Sequence, residues 1–230
     1  MKKCILFLLI LCMMLSGCRT SQVDHTEDNT SPPIEKNVEA TLAITEDSAS
    51  TVYPLPDTTM DSLDNATFAI SMEHGDAYVD DTGIMRMDVK VYTYDKFDMV
   101  DIAGLKAGDT IVTHSGDVKV SSVERNAFGT VLINGGLDEG GIELFSNDGG
   151  VYFESGYSDI KSWYEVGEVT LRVSADLEFR DNIDLDKGEQ IYYAGSFLVG
   201  EVTDYHFTPH NTTIRTENGQ IVSMERVYTP

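Results

Sequence analysis

From Leu63 onward the chain alternates apolar and polar positions in short runs separated by Gly, Asn and Asp. The clearest run spans 85–93: Met85, Met87, Val89, Val91 and Thr93 fall on one face, Arg86, Asp88, Lys90 and Tyr92 on the other. A period of two is the spacing of a strand with one face buried. The same reading predicts strands over 66–71, 110–113, 118–125, 130–134, 142–145 and 151–154. Further strands are predicted over 169–173, 177–180, 190–193, 197–204, 212–216 and 221–227.

The residues between these runs have turn chemistry. Asn218-Gly219 sits between two alternating runs, and a type I′ hairpin turn needs positive φ at both central residues, which this pair supplies. Asp81-Thr82-Gly83, Ser115-Gly116-Asp117 and Asp148-Gly149 read the same way. One short helix is expected over 98–103, capped by Asp95 or Asp98 and stopped by Gly104. The predicted fold class is all-β, a barrel or sandwich of about 10–13 short antiparallel strands. Residues 105–111 (LKAGDTI) echo 185–191 (LDKGEQI) without gaps, which leaves room for two small duplicated β-units. Turn–strand junctions that favour Gly before a polar residue would produce the same echo.

Composition changes before Leu63. Residues 19–62 are rich in Ser, Thr, Asp, Glu and Pro, with Tyr53 the only aromatic. So little apolar area cannot offset the entropy of ordering, so residues 18–62 are expected to form a disordered acidic tether ahead of a folded domain over 63–230. As a flexible coil it would reach roughly 35–40 Å.

At the amino end, Lys2 and Lys3 precede an apolar run from Ile5 to Leu15 that closes on Leu15-Ser16-Gly17-Cys18. The run is too short for a spanning helix, which needs roughly 20 apolar residues, and has the layout of an export signal. The last four residues resemble the lipobox of bacterial lipoproteins. That resemblance implies diacylglyceryl transfer to the Cys18 thiol, cleavage after Gly17 and, with acyl chains such as palmitate, an extracytoplasmic membrane anchor. It covers residues 1–18 alone. Cys4 and Cys12 would leave with the signal, so the exported domain would hold no disulfide.

Charge narrows the partners. The chain carries −23, and −25 once Lys2 and Lys3 are gone. Such a surface repels nucleic acid and anionic lipid headgroups, and leaves a cation, a glycan or a basic protein as partners. High charge also serves solubility alone.

No GxSxG, HExxH or CxxC pattern is present. Asp138-Glu139 lies between glycine pairs at 135–136 and 140–141, as an acidic loop holding a hard cation would. Tight turns use the same residues. Asp181, Asp184, Asp186 and Glu189 invite a calcium reading, but the EF-hand register puts Lys187 where Gly is needed and Tyr193 where Glu is needed. No metal ligand is therefore assigned, and calcium is the one cofactor left open. His206 and His210 are separated by Pro209, which breaks the helix that would align them. His74 and His114 read as turn or surface residues. Trp163, the only tryptophan, sits beside Tyr164 and near acidic residues, the make-up of a sugar-gripping surface and equally of an aromatic core.

The expected function is a lipid-anchored, non-catalytic binding or adaptor module, with Trp163, Tyr164, Asp138 and Glu139 as candidate ligand residues and no catalytic residue assigned. The alternatives are a small surface hydrolase using paired carboxylates among Asp138, Glu139, Glu154 and Asp159, or a structural part of the cell envelope.

Overall fold

The computed structural model describes residues 48–146, 150–156 and 161–229. The expected signal, Cys18 and the first thirty residues of the expected tether lie outside them, as do the Asp148-Gly149 turn and Asp159. Within them run β1 (Thr51–Val52), β2 (Thr67–Ser71), β3 (Ala77–Val79), β4 (Met85–Thr93), β5 (Lys96–Asp98) and helix α1 (Met99–Gly104). Next come β6 (Thr110–Thr113), β7 (Gly116–Lys119), β8 (Val123–Arg125), β9 (Val131–Ile133), β10 (Ile142–Ser146) and β11 (Val151–Ser155). The chain continues with β12 (Tyr164–Asn182), β13 (Gln190–Tyr193), α2 (Ala194–Leu198), β14 (Thr212–Glu217) and β15 (Gln220–Val227). The fold is all-β.

Five strands close a barrel. β4 pairs antiparallel with β2 and with the first half of β12, from Tyr164↔Thr93 to Arg172↔Arg86. The second half of β12 runs parallel to β15, β15 pairs antiparallel with β14, and β14 with β2. β3 and β13 flank this ring. The alternation places Met87, Val89 and Val91 of β4 inward, against Phe68, Ile70, Leu171, Leu177, Phe179, Ile214 and Ile221. Asn218 and Gly219 take φ of 51° and 71°, the left-handed pair that the β14–β15 hairpin requires.

β5 to β11, with α1, form a lobe inserted between β4 and β12, which β1 joins from ahead of the barrel. One sheet, in the order β5-β11-β10-β9-β8, and a smaller one, β1-β6-β7, enclose a second core of Val52, Phe97, Ile102, Leu105, Ile111, Val131, Ile133 and Leu144. There are thus two cores, but not two copies. In the echoed segments β6 and β13 start at matching positions, yet Leu105 is buried and Leu185 exposed, and β6 pairs with β1 and β7 whereas β13 pairs with β12 alone.

Several expectations need correction. The strands are not all antiparallel, since β1–β6 and β12–β15 are parallel. The runs 169–173 and 177–180 belong to one 19-residue strand; the interruption at Ser174, Ala175 and Asp176 is a register shift in its pairing with β15. Residues 197–204 are not a strand: Ala194 and Phe197 are buried three apart, the spacing of α2, a second helix. The folded part begins near Ser50 rather than Leu63. Ser50 N–H donates to Asp109 at 2.7 Å, Thr51 pairs with Thr110, and Val52 enters the lobe core. Asp98 alone caps α1, accepting from Val100 N–H at 2.7 Å; Asp95 has another role.

Candidate functional site

The neck between barrel and lobe is where β4 leaves the barrel through Tyr94 and Asp95 and where the chain returns through Trp163 into β12. Asp95 is 3% exposed. Its Oδ1 accepts from the Tyr164 hydroxyl at 3.1 Å and its Oδ2 from the His114 backbone N–H at 2.7 Å. His114 stands in the β6–β7 turn, its Nδ1 3.8 Å from Asp95 Oδ2 and its Nε2 3.3 Å from Ser115 Oγ. The imidazole stacks on Tyr164, with ring centroids 4.0 Å apart and planes 12° from parallel.

Glu154 completes the group. The ladder holds it on both sides: its N–H donates to the Asp95 carbonyl and its carbonyl accepts from Ser162 N–H. Its side chain is 8% exposed, and Oε2 is buried with no hydrogen-bond partner among the described residues. One ligand atom each from Asp95, His114 and Glu154 lie within 4.8 Å of one another. Burial raises the Glu154 carboxyl above its usual range, the Asp95 charge adds to that, and His114 opposes it. Burial and the same Asp95 charge push the Tyr164 phenol up to about 12. Two carboxylates and an imidazole, gathered from three separate elements, can hold a cation or share a proton.

Beside this group a concavity of about 260 Å³ is lined by Leu55, Asp57, Tyr94, Asp95 and Tyr164. Asp57 is already paired, with Lys96 at 2.7 Å and the Thr93 hydroxyl at 2.9 Å. A wider groove of about 700 Å³ crosses the barrel wall, lined by Ser71, Glu73, Asp76, Asp88, Lys90 and Glu168 among others. Lys90 contacts Glu168 at 3.3 Å and Glu165 at 3.6 Å.

The sequence-predicted residues separate. Tyr164 and Glu154 meet at the neck. Trp163 is half-buried beside them, edge-on to Tyr94 at 4.7 Å with Lys161 Nζ 5.6 Å from its ring. Asp138 and Glu139 lie apart, exposed in a 3₁₀ turn over 137–139, and no described contact joins them to Trp163 or Tyr164. The glycines around them serve that turn: Gly140 is left-handed, and a Cβ on Gly141 would collide with the Ile133 carbonyl. In the 181–189 turn, Asp181 is ion-paired with Arg226 and Asp184 with Lys187. Asp95 and His114 were not singled out as site residues. Their one sequence signal is a polar residue closing an alternating run, which turns share.

Compared with protein-family models, with curated proteins and with solved structures, the chain matches none.

Proposed function

We propose that the chain is an exported lipoprotein, anchored through Cys18, whose barrel acts as a non-catalytic binding module for a basic partner. The observation that carries the binding half is the barrel-wall groove, where Glu73, Asp76, Asp88 and Glu168 face the single Lys90. On a chain of net charge −23 such a groove concentrates cationic groups, and its field weakens within about 10 Å at 0.1 M salt. The anchor half rests on Leu15-Ser16-Gly17-Cys18, and two acyl chains would hold firmly at about 0.8 kcal/mol per buried CH₂.

Hexalysine is a suitable probe. Calorimetry should show saturable binding at low salt that weakens as salt rises, and Asp76→Asn with Glu168→Gln should weaken it about tenfold, the effect of roughly 1.4 kcal/mol. Binding unchanged in the double variant would remove the groove from the reading. The anchor is tested separately, by alkyne-palmitate labelling that Cys18→Ser should abolish.

A further inference from the structure

We propose that Asp95, His114 and Glu154 form a binding site for a divalent first-row transition cation, of which zinc is the natural probe. The inference is independent of the anchor and of the barrel groove. It begins with an oddity of burial. Carboxylates are removed from water only when something compensates them, and Glu154 Oε2 is buried without a partner among the described residues, next to a second buried carboxylate. Among the described residues the charged groups that act on Glu154 are Asp95 and His114, with no Lys or Arg among them. Among the described residues, the group placed to offset the negative charge is an imidazole 3.8 Å from Asp95.

The surroundings match a metal site in three ways. First, the donor atoms converge to within 4.8 Å. Zinc bonds to N and O of about 2.0–2.2 Å place neighbouring ligands roughly 3.4 Å apart, so closing the site from within 4.8 Å needs a movement of at most about 1.4 Å. The His114 side chain, about a third exposed, has the freedom to supply it.

Second, the groups behind the ligands are oriented. His114 Nε2 faces Ser115 Oγ; donation from Nε2–H to that oxygen leaves Nδ1 with its lone pair toward Asp95. The Tyr164 hydroxyl donates to Asp95 Oδ1, and its ring fixes the imidazole by stacking. A histidine whose second nitrogen is tied to an oxygen, and a carboxylate that is itself hydrogen-bonded, are the usual supports of metal ligands.

Third, the donor set chooses among metals. Calcium takes six to eight oxygens and has no use for an imidazole, whereas mixed N/O donors suit zinc and its neighbours. Three protein ligands leave one tetrahedral position free, on the exposed His114 side, for water or a donor from a partner.

The test is a zinc titration of the full chain, solubilised in mild detergent and stripped with EDTA, followed by calorimetry and thermal melting. One zinc per chain is expected, with a raised melting temperature and an affinity at least tenfold lower in both His114→Ala and Glu154→Gln. Circular dichroism of the apo variants establishes that they fold. Cobalt(II) gives a second readout without mutation, since a tetrahedral N/O site produces strong visible d–d absorption. Absence of saturable zinc binding would overturn the proposal. So would zinc binding that both variants leave intact, which would place the ion on other carboxylates. Calcium displacing zinc mole for mole would overturn it too, because the imidazole would then play no part.

Discussion

Two of the buried carboxylate centres among the described residues are built on opposite terms. In the barrel, Asp181 of β12 and Arg226 of β15 are direct partners in the parallel ladder. Arg226 is 1% exposed and donates to Asp181 through Nη2 at 2.5 Å and Nε at 2.9 Å; Nη1 reaches the Asp204 carbonyl at 2.9 Å. Its guanidinium lies 4.4 Å from the Phe207 ring. All three guanidinium nitrogens donate, so the chain supplies its own cation. At the neck, Asp95 and Glu154 are as deeply buried, yet among the described residues the cationic group beside them is only the His114 imidazole, about a third exposed. A closed ion pair is a structural fixture. A carboxylate pair left short of positive charge is a site whose stability depends on what else is in solution.

The contrast is broken most forcefully from the barrel side. Arg226→Met should destabilise the fold by about 3–5 kcal/mol, since it strands a buried carboxylate. Urea unfolding would measure this, and adding Asp181→Asn should recover part of the loss. Glu154→Gln should act in the opposite direction. The Glu154 carboxyl is raised in the folded state, so the native protein binds the proton more tightly than the unfolded chain. Below the ordinary carboxyl range both states are protonated and nothing is lost. As pH climbs through the raised value, the wild type loses stability that the amide variant keeps. In metal-free buffer at neutral pH the variant should therefore be the more stable, and the difference should vanish in acid; melting curves across pH would show it. The smallest effect tests the lobe by itself. Asp98→Ala removes the cap of α1 and should cost about 1 kcal/mol, seen as faster amide exchange in the lobe and unchanged binding in the barrel groove.

How much of this was legible in the sequence follows from how local each cause is. Met85–Thr93, Gln190–Tyr193 and the Asn218-Gly219 turn were readable because their alternation and φ requirements are contained within a few residues. β12 reads as two strands because Ser174 and Asp176, where its pairing with β15 shifts register, look like a loop. Val52 belongs to the lobe core through a two-residue parallel strand, too short for any period to register. The neck was the hardest. Asp95, His114, Glu154 and Tyr164 converge only because β4 pairs with β12 across the whole lobe, and nothing in any one stretch announces that pairing. Tyr164 and Glu154 could be named as candidates from their aromatic and acidic neighbours. Asp95 and His114 had no such company.

The nesting of the lobe also bears on how the chain finds its fold. Thr93 must meet Tyr164 before the barrel can close, and 70 residues lie between them. Joining the ends of a loose chain of that length costs roughly 2 kcal/mol more entropy than joining ends about five residues apart. A lobe that folds first brings its two ends together at the Asp95–Glu154 and Ser155–Lys161 contacts, and so acts as a clamp that turns a distant pairing into a near one. Phe97→Ala, a change confined to the lobe core, should then slow the appearance of barrel structure as well as weaken the lobe. Speed of assembly, on this view, is set in the part of the molecule that the barrel does not contain.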